Sequence, residues 1–79
     1  MAVKHAFRQS DGNGRPGWVL KIAYDLDQIT DLKKAVRWQD RYWNQDLEQW
    51  WFLATPEYED KVEQIFPDFF AYRAQPQLF

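Results

Sequence analysis

Residues 41–53 read Arg41-Tyr42-Trp43-Asn44-Gln45-Asp46-Leu47-Glu48-Gln49-Trp50-Trp51-Phe52-Leu53. Three of the chain's five tryptophans fall here, beside Tyr42 and Phe52. Aromatic side chains suit a pleated, half-buried surface, so both ends of the stretch are expected to be strands. The polar centre, Asn44 to Glu48, is expected to turn one strand back on the other. It contains no glycine, which disfavours a two-residue primed turn and favours a four- or five-residue loop built on a type I turn. The rest of the chain is arranged to cover this hairpin.

Upstream, Trp18 to Tyr24 alternates cleanly. Trp18, Leu20, Ile22 and Tyr24 form an apolar face opposite Val19, Lys21 and Ala23, as a helix-covered strand requires. Asp25 then caps a helix, with Gln28 in capping-box spacing. Ile29, Leu32 and Val36 recur at helical intervals as its buried stripe, and the helix is expected to end by Trp38 or Asp40. Lys33, Lys34 and Arg37 fall late in this helix, where cations suit its dipole. Downstream, Thr55-Pro56-Glu57 is a helix start, with threonine as N-cap and proline in the first turn. Tyr58, Val62, Ile65 and Phe66 supply its stripe, and Pro67 ends it.

These elements define an α+β fold, a small single sheet with two helices on one face, in the order β-α-β-β-α. Asp68 to Ala74, with Phe69, Phe70 and Tyr72, offers a final strand. With it the topology is a split βαβ sheet, and without it a three-stranded sheet remains. In both cases the helix-free face is open and carries the hairpin's outward rings.

Residues 1–17 are expected to be a flexible strand and loop, residues 18–74 the single domain, and residues 75–79 a tail. Val3 to Arg8 can form a short strand. Ser10 to Gly17 holds all three glycines and reads as a mobile loop or wide connection. Gly12, Gly14 and Gly17 match the spacing of a dinucleotide fingerprint, but they precede a strand instead of joining strand to helix.

Composition limits the chemistry. The chain has 79 residues, one histidine and no cysteine. No disulfide, thiolate metal site or Ser-His-Asp set is available, so no catalytic residue, metal or cofactor is assigned. The acids at Asp25, Asp27 and Asp31, and those from Glu57 to Glu63, sit in solvated first turns of helices. With no secretory leader and no membrane-length apolar run, the chain is expected to be cytoplasmic and off the membrane. Rings make up 19% of the residues, more than so small a globule can hide, so several are expected at the surface as a binding signal.

The net charge of −2 argues against indiscriminate polyanion binding, but the charge is unevenly spread. Lys33, Lys34, Arg37 and Arg41 face only Asp40 in their segment, whereas residues 55–68 are strongly acidic. Single-stranded nucleic acid is held by rings that stack bases beside cations that follow phosphates. Lys33, Lys34, Arg37 and Arg41, with Tyr42, Trp43 and Trp51, are the candidate residues for that task.

The spacing Trp43-Asn44, five residues, then Trp50-x-Phe52 resembles the hairpin of HARP-type domains, the accessory modules of annealing helicases. The resemblance runs back through Arg41, Leu32-Lys33 and Tyr24-Asp25, and forward to Tyr58. Trp43 and Asn44 stand where Tyr and Asp are usual. It implies binding of single-stranded or forked DNA, with no chemistry of its own. Separately, Gln75-Pro76-Gln77-Leu78-Phe79 resembles the short peptide with which repair proteins grip a sliding clamp. Gln75 would hydrogen-bond, and Leu78 and Phe79 would fill an apolar pocket. A protein-interaction or inhibitor module, acting through the aromatic face or this tail, is therefore the alternative.

Overall fold

The computed structural model describes residues 3–74. Four strands, β1 (Val3–Arg8), β2 (Gly17–Ile22), β3 (Arg41–Asn44) and β4 (Gln49–Leu53), form one antiparallel sheet in the order β1-β2-β4-β3. Helix α1 (Leu26–Ala35) follows β2, and α2 (Pro56–Ile65) follows β4. A short helix α3 (Phe69–Arg73) ends the described chain. The fold is α+β, with strands and helices interleaved.

The hairpin forms as its sequence requires. Tyr42 pairs with Trp51, Trp43 with Trp50 and Asn44 with Gln49. Residues 45–48 make the turn, closed by the Leu47 N–H donating to Asn44 Oδ1 at 3.0 Å. Glu48 completes it in the left-handed region, at φ 52°.

Period-two alternation assigns the two faces of the sheet. Ala6, Leu20, Trp50 and Trp43 lie in one row across all four strands, on the helix side. Phe7, Val19, Trp51 and Tyr42 form a parallel row on the helix-free side. The core gathers Trp18, Leu20, Trp50 and Phe52 from the sheet with Leu32, Val36, Tyr58, Val62, Phe66 and Phe69 from the helical side. Fully burying each such side chain is worth about 1.5–3 kcal/mol of transfer free energy.

Both predicted helices keep their stripes and caps. Asp25 accepts the Gln28 N–H at 3.1 Å, and Thr55 Oγ1 accepts the Tyr58 N–H at 3.1 Å. The Gln28 side chain reaches across to the Ile65 carbonyl at 3.3 Å, tying α1 to α2.

Four expectations need correction. Helix α1 stops at Ala35, and Trp38–Asp40 forms a separate 3-10 turn that swings the chain into β3. Strand β2 ends at Ile22, so Tyr24 leaves the apolar face and is 81% exposed. Val3 to Arg8 forms the expected strand, but as an integral edge of the sheet and not part of a flexible region: Val3 and Ala6 belong to the core, which begins before residue 18. Asp68 to Ala74 is a helical segment, not a final strand. After Pro67 the Phe69 N–H donates back to the Phe66 carbonyl at 2.9 Å. Phe69 then packs edge-on against Trp18 and Phe52, and Tyr72, three residues on, also packs against the core, a helical spacing of rings instead of a strand's alternation.

Candidate functional site

The edge strand β3 and the turn before it collect the exposed rings. Trp38 is 79% exposed at the start of the 3-10 turn, and Tyr42 is 62% exposed on β3. Tyr24 and Trp43 are also exposed. These four rings, with Lys33 and Arg41, line a hollow of about 490 Å³. Ile29 and Trp50 complete it. Trp43 leans on Trp50 with ring centroids 5.1 Å apart, which holds its indole in place. The Lys33 ammonium lies 6.0 Å from the Trp50 ring centroid, at the limit of a cation–π contact.

A second hollow, of about 660 Å³, opens on the helix-free face. Trp38, Arg41, Tyr42 and Trp50 line both hollows, so Trp38 and Tyr42 form the ridge between them. Val19 and Trp51 lie beneath, and the 9–15 connection, Gln39, Asn44 and Gln49 surround it.

Arg15 builds this second wall. Its Nε donates to Asp11 Oδ2 at 2.8 Å, its Nη1 to Asp40 Oδ1 at 3.1 Å, and its Nη2 to the Gln39 carbonyl at 3.1 Å. The same guanidinium sits 5.4 Å from the Trp51 ring centroid. Asp11 also accepts the N–H groups of Asn13 and Arg15, each at 2.8 Å. The Arg15 side chain, opposed by partial desolvation, holds the Asp11 carboxyl below its ordinary range, with those N–H bonds adding to the effect. Asp11 and then Asp40 in turn hold the Arg15 proton more tightly. Tyr58 Oη donates to Asp40 Oδ2 at 2.6 Å, and that bond, with burial, raises its hydroxyl pKa.

Of the predicted residues, Lys33, Arg41, Tyr42 and Trp43 come together. Lys34 and Arg37 are exposed but line neither hollow. Trp51 is not an accessible stacking ring. It is only 8% exposed, lies beneath Arg15 and against Gly17, and donates its indole N–H to the Gln9 carbonyl at 2.9 Å. Gln75, Leu78 and Phe79 lie outside the described residues.

Three contributors escaped the sequence reading. Trp38 falls off the Ile29-Leu32-Val36 stripe, and a large ring off the buried period is the signal that marks it as exposed. Tyr24 was assigned to the strand's buried face. Arg15 stands four residues after Asp11 in what reads as a mobile loop, and only the fold brings Asp40 to it.

Among the described residues no three His, Asp or Glu side chains are grouped to hold a metal ion, and no helix is long and apolar enough to cross a membrane. Comparisons of the chain with protein-family models, with curated proteins and with solved structures returned no match.

Proposed function

We propose that this protein is a non-catalytic cytoplasmic module that binds single-stranded or forked nucleic acid at the β3 edge. One observation carries the reading. Tyr24, Trp38, Tyr42 and Trp43 present exposed rings around a single hollow that also holds Lys33 and Arg41. Each stacked base contributes about 1–3 kcal/mol, and flanking cations hold the phosphates. The weakly negative net charge makes affinity depend on this local arrangement and not on a general attraction to polyanions. The HARP-type hairpin resemblance points the same way.

The test is a titration of intrinsic tryptophan emission with a short single-stranded oligonucleotide at low and moderate salt. Saturable quenching that weakens with salt supports the reading. Unchanged emission at both salts, confirmed by the absence of a mobility shift, rejects it.

A second reading, capture of a protein partner, draws on the excess of rings over cations in the hollow, five against two. Interfaces favour such aromatic anchors. This reading predicts binding that survives Arg41→Ala and moderate salt. The clamp-type tail would act independently of the hollow, and a pull-down comparing the full chain with one lacking Leu78 and Phe79 tests it.

A further inference from the structure

The two hollows that share the Trp38–Tyr42 ridge differ in chemistry, and that difference assigns them different tasks. The one on the helix side is ringed by aromatics and carries Lys33 and Arg41. The one on the helix-free face is lined by amides, among them Gln39, Asn44 and Gln49. Its carboxylate, Asp11, is neutralised by Arg15 and two backbone N–H groups. Arg15 is itself spent on Asp11, Asp40 and the Gln39 carbonyl. Apart from Arg41, which lines both hollows, the charges of this site are already paired, and such a site suits a neutral polar ring better than a phosphate.

The amides are placed to meet such a ring. Asn44 and Gln49 are direct partners across β3 and β4, two positions along from the Tyr42–Trp51 pair. Asn44 Oδ1 accepts the Leu47 N–H, which fixes the amide and leaves its nitrogen as a donor. Among the described residues, the Gln39 and Gln49 side-chain amides are not engaged in hydrogen bonds. Gln39 and Gln49 each offer an acceptor beside donors and Asn44 adds a donor, a pattern that recognises a base edge, and unpaired bases are read in this way while stacked on a ring. Tyr42 stands at the rim as that ring.

We infer that the helix-free hollow takes one unpaired nucleobase of the bound strand and reads its edge through Gln39, Asn44 and Gln49. The backbone passes over the shared ridge, with Arg41 at the crossing, and neighbouring bases stack in the other hollow. This rests on the nucleic-acid reading and adds base preference to it.

The test measures affinity by fluorescence anisotropy for labelled oligo-dA, oligo-dC and oligo-dT of about ten nucleotides, a length suited to a small site. The wild-type chain is expected to bind one of them about tenfold or more tightly than the weakest. Gln49→Ala is expected to bring the three within about twofold of one another. Gln39→Ala, at an exposed position, gives the same readout where Gln49→Ala lowers the melting temperature. Equal wild-type affinities, or a preference untouched by both variants, overturn base reading but leave the stacking surface standing. Failure to bind any of the three overturns both. A nucleoside monophosphate of the preferred base that competes as well as the oligonucleotide makes the ligand a free nucleotide and overturns the assignment to a strand.

Discussion

Tyr58 and Asp40 are joined by a 2.6 Å hydrogen bond that ties α2 to the 3-10 turn carrying Trp38. The other oxygen of the same carboxylate accepts from Arg15. One acid thus fixes both the turn and the loop that walls the helix-free hollow. Tyr58→Phe removes the donor and keeps the packing. A bond to a charged acceptor is worth about 1.5 kcal/mol at the low end, so the melting temperature should fall by roughly 6–12 °C. The raised Tyr58 pKa implies that this contribution is complete below the ordinary value of 10.0 and is lost as pH rises through the folded value. The variant should therefore lose less stability than the wild type in an alkaline denaturation series.

Gly17 has no room for a side chain. A Cβ there would overlap the Trp51 indole, which is held by Arg15 above and by the Gln9 carbonyl at its nitrogen. Gly17→Ala should destabilise the fold by about 1–3 kcal/mol through overpacking. Urea denaturation measures this, and an unchanged midpoint would mean that Trp51 moves freely.

Trp38 projects into solvent and contributes nothing to the core. Trp38→Ala should leave the melting temperature unchanged and weaken oligonucleotide binding by about 1–3 kcal/mol, one stacked base. Arg41→Ala should instead lower the slope of log affinity against log salt by about 0.7. The two variants separate stacking from phosphate contact in one salt titration.

Asp11 sets an acid limit on the 9–15 loop. Its carboxyl is held below the ordinary value of 3.8, chiefly by the Arg15 side chain, so its stabilising bonds are present above that value. They are lost as pH falls through the folded value. The amide signals of Asn13 and Arg15 should shift together in a nuclear magnetic resonance titration at the low end of this range. Asp11→Asn should abolish that step, and separate midpoints for the two amides would show that the carboxylate does not organise both.

Glu48 pays a steric cost for its left-handed backbone, where glycine would sit without strain. Glu48→Gly should gain about 0.5–1 kcal/mol after the entropy of glycine in the unfolded chain is deducted. A melting curve that moves down would show that the Glu48 side chain stabilises the turn.

The hairpin, the β2 strand and both helical stripes were readable because each is a local period with its own cap or turn. The terminal aromatic segment misled because Phe69, Phe70 and Tyr72 fit a strand's preferences, and only Phe69 seating between Trp18 and Phe52 selects the helix. Trp51 and Trp38 show the same limit at the site. Trp51 sits among other rings and Trp38 among polar residues, yet Trp51 is covered by Arg15, whose reach depends on where β1 and β2 place the loop. The other is bared because α1 stops short of it. Pairing of β2 with β4 sets the first outcome, and no local pattern encodes that pairing.

Helix α3 packs beside β1, where the Val3 N–H meets Asp68 at 3.4 Å and Tyr72 Oη meets the Lys4 carbonyl at 3.4 Å. Strand β3 is the opposite margin of the sheet. The described chain therefore enters and leaves at the sheet margin opposite β3, so β3 and the turn before it stay free of both chain ends among the described residues.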